Sequence, residues 1–317
     1  MLQKSRNHIR FGIEEEFFIL PNKRLELTLE NSSEEVFEEQ IEIKTNIHSA
    51  PVELFRELQK NRKILKDQLN GSEMIGMGTH PGKKFTQFKF LCNSKNEYLK
   101  RELGFALEML VTCGCHIHFS IGDISSSLYV LNQLRKHIPF LIAISGNSSS
   151  YLGHETNYAS FRNHLFSSIP RSGIPPHIDD LESFNNSFFS DANPAVSSKN
   201  WYDIKFNEVH STVEFRMFDA NDDLGAVKMF FSFAYLLIHL ELYSVKDSKP
   251  PDYILNENRW RATRFGLNAQ LIIGDSVQSV LDYGLKLIEE NIEIIEQLGI
   301  VEDIFYFKTN LPWEKVH

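Results

Sequence analysis

Three consecutive glutamates interrupt an apolar stretch near the start of the chain, FGIEEEFFIL at residues 11–20. In an extended strand successive side chains point to opposite faces, so Glu14 and Glu16 share one face while Glu15 points to the other. Two carboxylates about 7 Å apart on a half-buried surface repel each other unless a cation offsets their charge. Mg²⁺ prefers oxygen ligands of this kind. The stretch therefore predicts a buried strand with a metal-binding face, and the alternative is a solvent-exposed edge strand.

Further candidate ligands lie at alternate positions of two later segments. QIEIKTNI, residues 40–47, places Glu42 on the polar side of an alternating pattern, although a half-exposed strand would show the same pattern. VTCGCHIHFSIGD, residues 111–123, places His116 and His118 on one face. Imidazoles at this spacing bind many transition metals, and they also occur as hydrogen-bonded pairs in protein cores. Both interpretations of the histidines remain open from the spacing alone.

A hairpin follows, formed by WYDIKF at 201–206 and VHSTVEFRMFDA at 209–220. The alternation predicts that Thr212, Glu214 and Arg216 share one face together with Phe218, while the apolar side chains between them form the other face. An acid and a base two residues apart could pair with each other. They could also hold a metal and a phosphate.

The remaining pattern predicts the elements that position these residues. Apolar periodicity predicts helices at 52–69, 95–110, 125–145, 224–244, 257–270 and 275–298, and strands at 8–20, 40–47, 71–83 and 111–123. Pro139 is expected to kink or divide the third helix, and Gly299 to end the last one. Residues 145–176 are rich in turn formers and carry Arg162, which indicates a long functional loop or a plain surface connection.

Composition excludes several function classes. The net charge of −9 over 317 residues argues against nucleic acid as a partner, and the chain has neither a GxxxxGK nor a GxGxxG nucleotide motif. The most apolar run, 229–242, is too short for a membrane span and predicts a buried helix. MLQKSRNHIRF lacks an apolar signal-peptide core, and Cys92, Cys113 and Cys115 have no disulfide or zinc spacing. A cytoplasmic location is expected.

Nine motifs, in this order and at this spacing, resemble the glutamate-cysteine ligase type 2 family, the bacterial carboxylate-amine ligases. They are GIEEEF at 12–17, QIEIKT at 40–45, GTHP at 78–81, CGCHIHF at 113–119, NYASFR at 157–162, SIPRSGIPP at 168–176, WYDIK at 201–205, TVEFR at 212–216 and NRWRATRFGL at 258–267. The resemblance implies an α+β fold similar to glutamine synthetase. Its curved antiparallel sheet of about six strands would carry helices on the outer face, with the site in the concavity. With 317 residues the chain could form one large domain or two, and we favour a single catalytic domain over 1–317.

Site residues can be carried over from the resemblance one by one. The positions that match the family's metal ligands are Glu14, Glu16, Glu35, Glu42, His116 and Glu214. Arg216 is expected to face the ATP phosphates or an acyl phosphate, and Arg162 to hold a substrate carboxylate or phosphate. Lys205 and Thr212 are expected to contact the nucleotide. Lys205 stands where relatives commonly have arginine, which weakens a bidentate contact at that position.

The implied reaction joins a glutamate-like carboxylate to a cysteine-like amine. ATP first converts the carboxylate into an acyl phosphate, which the amine attacks, and Mg²⁺ or alternatively Mn²⁺ supports the transfer. The expected partners are these small molecules, with no nucleic acid, no membrane and a possible homodimer. One alternative is a metal hydrolase or oxygenase that uses His116, His118 and Glu214. Another is an inactive family member that binds nucleotide or serves in an assembly.

Overall fold

The computed structural model describes residues 9–20, 31–69, 71–82, 88–188, 200–244 and 249–309. Its strands are β1 (Arg10–Leu20), β2 (Ser32–Glu34), β3 (Gln40–Lys44), β4 (Glu73–Ile75), β5 (Gly114–Ser120), β6 (Ser150–Tyr151), β7 (His154–Glu155), β8 (Ser172–Gly173), β9 (Trp201–Tyr202), β10 (Ile204–Asn207), β11 (Thr212–Asp219), β12 (Gln270–Ile273) and β13 (Ser276–Ser279). Residues 8 and 83, the outer ends of two predicted strands, lie outside the described residues.

Helices make up the second class of element. They are α1 (Pro51–Gln68), α2 (Ser94–Leu103), α3 (Phe105–Met109), α4 (Ile124–Leu134), α5 (Ile138–Ser145), α6 (Phe161–Phe166), α7 (Leu181–Phe188), α8 (Leu224–Leu242), α9 (Asp252–Phe265), α10 (Val280–Glu290), α11 (Ile292–Leu298) and α12 (Val301–Thr309). Together with the strands they give the predicted α+β class.

One antiparallel sheet of seven strands carries the residues of interest. Its order is β10-β11-β5-β1-β3-β2, and β4 also pairs with β1. The prediction of about six strands is therefore close. Because β1 lies between β5 and β3, the alternative of a solvent-exposed edge strand for FGIEEEFFIL is wrong.

The apolar face of this sheet packs against helices. Phe11 of β1 and Phe119 of β5 belong to the main core, where both rings contact Phe231 of α8, with centroids 4.9 and 5.4 Å apart. Among the described helices, α8 alone is long and apolar enough to cross a membrane by length and composition. Within its apolar 18-residue window 78% is buried, and the helix packs against α4, α5 and α12, as the prediction of a buried helix requires.

A buried ion pair also lies on the core side of β1. Glu15 accepts two hydrogen bonds from Arg62 of α1, at 3.0 and 2.6 Å. The guanidinium donates further to the carbonyls of Asn221 and Asp222 at 2.6 and 2.7 Å, so its fork is well satisfied. The pair ties the acidic strand to α1 and to the segment that follows β11.

Several predicted boundaries differ in the structure. The predicted 95–110 helix is divided at Gly104, whose φ of 55° interrupts the helix, and the 125–145 helix is divided before Pro139 as expected. The helix predicted over 275–298 is wrong at its start, because residues 276–279 pair with 270–273 as a hairpin. Helix α10 begins after Ser279, whose side chain caps it, and Gly299 ends α11. Helix α12 was not predicted.

Candidate active site

The strand register places the candidate residues on one face of the sheet, which we call the acidic face. Residues directly opposite each other in antiparallel strands direct their side chains to the same side. The relevant pairs are Lys205 with Glu214, Glu214 with His118, Glu14 with His116, Glu14 with Lys44, and Glu16 with Glu42. The predicted ligands from β1, β3, β5 and β11 therefore share one surface, opposite the packed helices.

Two overlapping groups of side chains on the acidic face could hold metal ions. The first consists of Glu14, Glu42 and His116, and the second of Glu16, Glu35 and Glu42; in each, the ligand atoms lie within 4.8 Å of one another. Glu42 belongs to both groups, so it would be available as a ligand to a cation held by either of them. Five of the six residues predicted as ligands are thus brought together, in an oxygen-rich set that suits Mg²⁺ or Mn²⁺.

The second group carries an unbalanced charge. Burial raises the pKa of Glu16 to about 8, with a further contribution from the carboxylates of Glu35 and Glu42. Arg162 and the Gly114 N–H, which donates to Glu16 at 2.6 Å, offset this effect only in part. Near neutral pH the Glu16 carboxyl therefore retains a proton. A divalent cation would replace this proton, as expected of a metal site built from crowded carboxylates.

The histidine of the first group is suited to be a neutral ligand. Burial and the charge of Arg216 lower the pKa of His116 to about 4. Its Nδ1 lies 3.5 Å from a Glu14 oxygen, and its Nε2 has no hydrogen-bond partner among the described residues. Burial would raise the pKa of Glu14, but His116 and His118 lower it more strongly. Lys44 contacts Glu42 and Glu14 at 2.7 and 3.1 Å and partly neutralises them.

Glu214, the sixth predicted ligand, lies in a cationic environment. It pairs with Arg216, and its other oxygen accepts a hydrogen bond from Asn207 at 2.8 Å and lies 3.4 Å from the Lys205 ammonium. Burial opposes ionisation of Glu214, but these two cations hold its pKa well below the usual range. It belongs to neither of the two ligand groups found in the described part of the chain. Its role as a metal ligand remains a prediction.

Arg162 reaches the acidic face from α6. Its Nη2 donates to the Arg216 carbonyl at 3.1 Å, and its guanidinium lies over the Phe166 ring. A Cβ on Gly114 would lie 2.3 Å from this Nη2, so the glycine lets the guanidinium approach β5. Behind it, Asp219 is fully buried, with its carboxylate 4.0 Å from Arg162 Nη1.

Asp219 was missed by sequence reasoning. It accepts hydrogen bonds from Ser148 and Ser160 at 2.6 and 2.9 Å. The register of β11 shifts between Phe215 and Phe218, so Phe218 enters the core instead of sharing the face of Glu214. The predicted placement of Phe218 is therefore wrong. The only sequence signal for Asp219 was an aspartate at the end of a buried strand.

A second missed pair positions two site elements. Asp203 precedes Lys205 on the hairpin and receives bidentate hydrogen bonds from Arg259 at 2.7 and 2.8 Å. Arg259 also donates to Ser167 Oγ at 2.9 Å, next to the end of α6, which carries Arg162. The buried pair therefore links the strand of Lys205 to the helix of Arg162. Asp203 and Arg259 fall in two of the quoted motifs, WYDIK and NRWRATRFGL, but their pairing needed the structure.

Two cavities flank the carboxylates. One, of about 310 Å³, is bordered by residues that include Glu16, Glu35, Arg162, Lys205 and Arg216. The other, of about 280 Å³, is bordered by residues that include Glu14, Lys44, His118 and Thr212, the last of which is hydrogen-bonded to His118 at 3.1 Å. A larger cavity of about 710 Å³ beside α4 contains none of the predicted ligands. The first two cavities thus both border residues of the acidic face.

Structural similarity identifies the fold. The bifunctional glutathione synthetase from Pasteurella multocida superposes with a TM-score of 0.70 and 15% identity, covering 97% of this chain, which spans about half (49%) of that protein. The glutamate–cysteine ligase from Francisella tularensis, solved in complex with AMP, gives a TM-score of 0.69 and 13% identity over 97% of this chain and 83% of its own. The predicted glutamine synthetase/glutamate-cysteine ligase-like fold is confirmed.

Sequence comparison identifies the family. Glutamate–cysteine ligase of Haloferax volcanii is 29% identical over 254 residues, which cover 76% of this chain and 70% of the relative. Glutamate–cysteine ligase of Halobacterium salinarum is 25% identical over 324 residues, covering 93% and 88%. The model of glutamate-cysteine ligase family 2 matches residues 10–291. This chain therefore belongs to glutamate-cysteine ligase family 2 and is a carboxylate-amine ligase.

Proposed function

We propose that the chain uses ATP and Mg²⁺, with Mn²⁺ as the alternative ion, to convert a glutamate-like carboxylate into an acyl phosphate that a cysteine-like amine then attacks. One observation carries the proposal: two overlapping ligand groups stand beside Arg162, Lys205 and Arg216 on a single sheet face, between two cavities. A polyphosphate and a carboxylate both need such a mixture of cation sites and guanidinium groups.

The side chains divide this work by position. Glu14, Glu16, Glu35, Glu42 and His116 would hold the cations, which when bound neutralise charge on the transferring phosphoryl group. The planar guanidinium of Arg216 borders the first cavity and can bind phosphoryl oxygens in a bidentate manner. Lys205 borders the same cavity as a point charge. Thr212 borders the second cavity, where it can donate a hydrogen bond to the nucleotide.

No cysteine nucleophile is needed for this chemistry. Cys113 and Cys115 are completely buried, and burial raises the pKa of both thiols well above the usual range. Cys115 pairs across the sheet with Glu15 on the core side, away from the carboxylates. The amine substrate itself is therefore the group that attacks the activated acid. The three cysteines are free thiols, which agrees with the proposed cytoplasmic location.

The hydrolase or oxygenase alternative has little support. It requires His116 and His118 to bind one ion, but only His116 belongs to a ligand group in the described residues, and His118 Nδ1 is hydrogen-bonded to Thr212. Membership of a ligase family also favours amide formation. The alternative of an inactive, nucleotide-binding or assembly protein predicts binding of ATP without turnover. A turnover experiment separates it from the proposal.

Trapping of the acyl phosphate tests the proposal directly. The protein is incubated with ATP, Mg²⁺, hydroxylamine and a panel of acids headed by L-glutamate, and both hydroxamate and nucleotide products are measured. We expect a hydroxamate with one class of acid, together with ADP. Arg216→Lys and Glu214→Gln are each expected to lower its yield about 100-fold, because charge stabilisation of the transferring group is lost.

Glu208→Gln is the matched control, because Glu208 is exposed at the turn of the same hairpin. It should leave the hydroxamate yield unchanged. AMP and pyrophosphate as products would refute the acyl phosphate. An unchanged yield in Glu214→Gln would show that Glu214 neither binds a cation nor holds Arg216 for the reaction. Measurement of the molar mass of the protein in solution tests the expected homodimer. The only other partners that we propose are the small-molecule substrates.

A further inference from the structure

The residues that line the 310 Å³ cavity beside the carboxylates include two chemically different sets. One set is charged and includes Glu16, Glu35 and Arg162. The other set is apolar and comprises Leu99, Leu103, Leu107, Leu110, Phe166 and Trp201, which we call the leucine wall. A ligand that fills this cavity therefore meets both charged groups and apolar surface.

The leucine wall is built from one stripe of the chain. Leu99, Leu103, Leu107 and Leu110 follow each other at intervals of four, four and three residues along α2, α3 and the residue after them. Gly104 separates α2 from α3, and the four leucines on either side of it all border the cavity. Leucine and phenylalanine side chains offer no polar atom, so the indole N–H of Trp201 is the one polar group of this wall. The wall therefore selects a ligand group mainly by its size and apolar surface.

The charged set contains a guanidinium with unused hydrogen-bonding capacity. Arg162 is 3% exposed, and its Nε has no hydrogen-bond partner among the described residues. A buried N–H group without a partner is costly, whereas a ligand carboxylate would satisfy it. Glu16 and Glu35 line the same cavity and are assigned to the cations, so the Arg162 guanidinium is the group that remains for a substrate carboxylate.

We infer that the amine substrate is an amino acid with a branched or aromatic apolar side chain, rather than cysteine. Its carboxylate binds Arg162 and its side chain packs on the leucine wall, which leaves its amino group available to attack the acyl phosphate. This inference rests on the ligase chemistry of the proposed function and replaces the cysteine-like amine named there. In the joining step the amine nitrogen bonds to the acyl carbon, the carbon–oxygen bond to phosphate breaks, and inorganic phosphate leaves with the proton released by the amine.

Calorimetry with the full chain, Mg²⁺ and a non-hydrolysable ATP analogue tests the inference. The probes are L-leucine, L-phenylalanine, L-alanine, L-serine and L-cysteine. L-Leucine or L-phenylalanine is expected to bind at least about 10-fold more tightly than the three smaller amino acids, because each buried methylene adds affinity. Leu103→Asn should abolish this preference, since it places an amide in the leucine wall. Arg162→Gln should weaken binding of every probe.

Leu165→Ala is the matched control. Leu165 belongs to the same apolar cluster as Leu103 but does not border the cavity, so the preference for large side chains should persist. Equal or tighter binding of L-cysteine or L-serine, or no binding of L-leucine and L-phenylalanine, would overturn the inference. A preference that survives in Leu103→Asn would overturn the assignment to this cavity.

A second measurement separates the amine from the acid. L-Leucine and L-phenylalanine are incubated with ATP, Mg²⁺ and hydroxylamine and no other acid, and no hydroxamate of either amino acid is expected. Its appearance would identify the apolar amino acid as the activated carboxylate and would refute the inference while supporting acyl phosphate chemistry. If none of the other acids in the panel gives a hydroxamate, the proposed function is contradicted. The calorimetric results on amino-acid binding do not depend on that outcome.

Discussion

Replacing Glu16 by glutamine should change how the stability of the metal-free protein depends on pH. The Glu16 carboxyl has a pKa raised from 4.5 to about 8 by burial and by Glu35 and Glu42. A raised pKa means that the folded chain holds the proton more tightly than the unfolded chain. The free energy of unfolding must therefore fall as pH rises from 4.5 towards 8, and it should level off above that value.

The size of the effect follows from these two pKa values. Each pH unit between them costs about 1.4 kcal/mol, so a rise from pH 6 to pH 9 should lower the free energy of unfolding by about 2.7 kcal/mol. The side chain of Glu16 is only 13% exposed, so solvent screening removes little of this cost. The proton is shared within the cluster of carboxylates, and the effect therefore belongs to the cluster as a whole.

Urea unfolding with excess EDTA, followed by tryptophan fluorescence at pH 6 and pH 9, measures this loss. Wild-type protein should lose about 2.7 kcal/mol more than Glu16→Gln over this interval, because glutamine cannot ionise. Saturating Mg²⁺ should restore most of the wild-type stability at pH 9 and have a much smaller effect on the variant. Glu290→Gln serves as the control, since that side chain is 63% exposed on a peripheral helix.

Equal pH dependence in wild type and Glu16→Gln would refute the reasoning, because no proton would then be retained at this position. Equal rescue of both proteins by Mg²⁺ would show that the cation binds elsewhere. Glu290→Gln retains Glu16 and should lose as much stability between pH 6 and pH 9 as wild type. A pH dependence reduced as far as that of Glu16→Gln would show that surface charge, rather than the buried cluster, controls it.

Two further substitutions test how the site is supported. Gly114→Ala places a methyl group 2.3 Å from the Nη2 of Arg162 and should weaken calorimetric binding of L-leucine about 100-fold by displacing the guanidinium, whereas Gly82→Ala, which has open space around its Cβ, should not. Unchanged binding of L-leucine in Gly114→Ala would show that the guanidinium position does not matter. Glu15→Ala leaves Arg62 buried without its carboxylate and should lower the free energy of unfolding by about 3 kcal/mol in urea titrations. A loss below about 1 kcal/mol would show that the two backbone carbonyls are sufficient for the guanidinium.

The acidic face was predictable because alternation in a regular strand does not depend on the partner strand. Glu14, Glu16 and Glu42 lie where a period of two places them, and β1 and β3 contain no register shift. The pairing of Glu14 with His116 could not be read from this period, since it depends on how β5 aligns with β1. The family resemblance supplied that missing information, and the register agrees with it.

The alternating pattern gave a wrong prediction for Phe218, where the backbone of β11 is irregular. This irregularity also affects the site. The register shift between Phe215 and Phe218 moves Phe218 into the core, and Asp219 lies behind Arg162. A strand without this irregularity would continue to place every second residue on the acidic face and would direct Phe218 towards the carboxylates. The same irregularity allows Asp219 to accept hydrogen bonds from the segment that leads into α6. The position of Arg162 against Gly114 thus depends on a bulge that no local sequence pattern predicts. Substitutions that remove this bulge should weaken substrate binding while the sheet still folds.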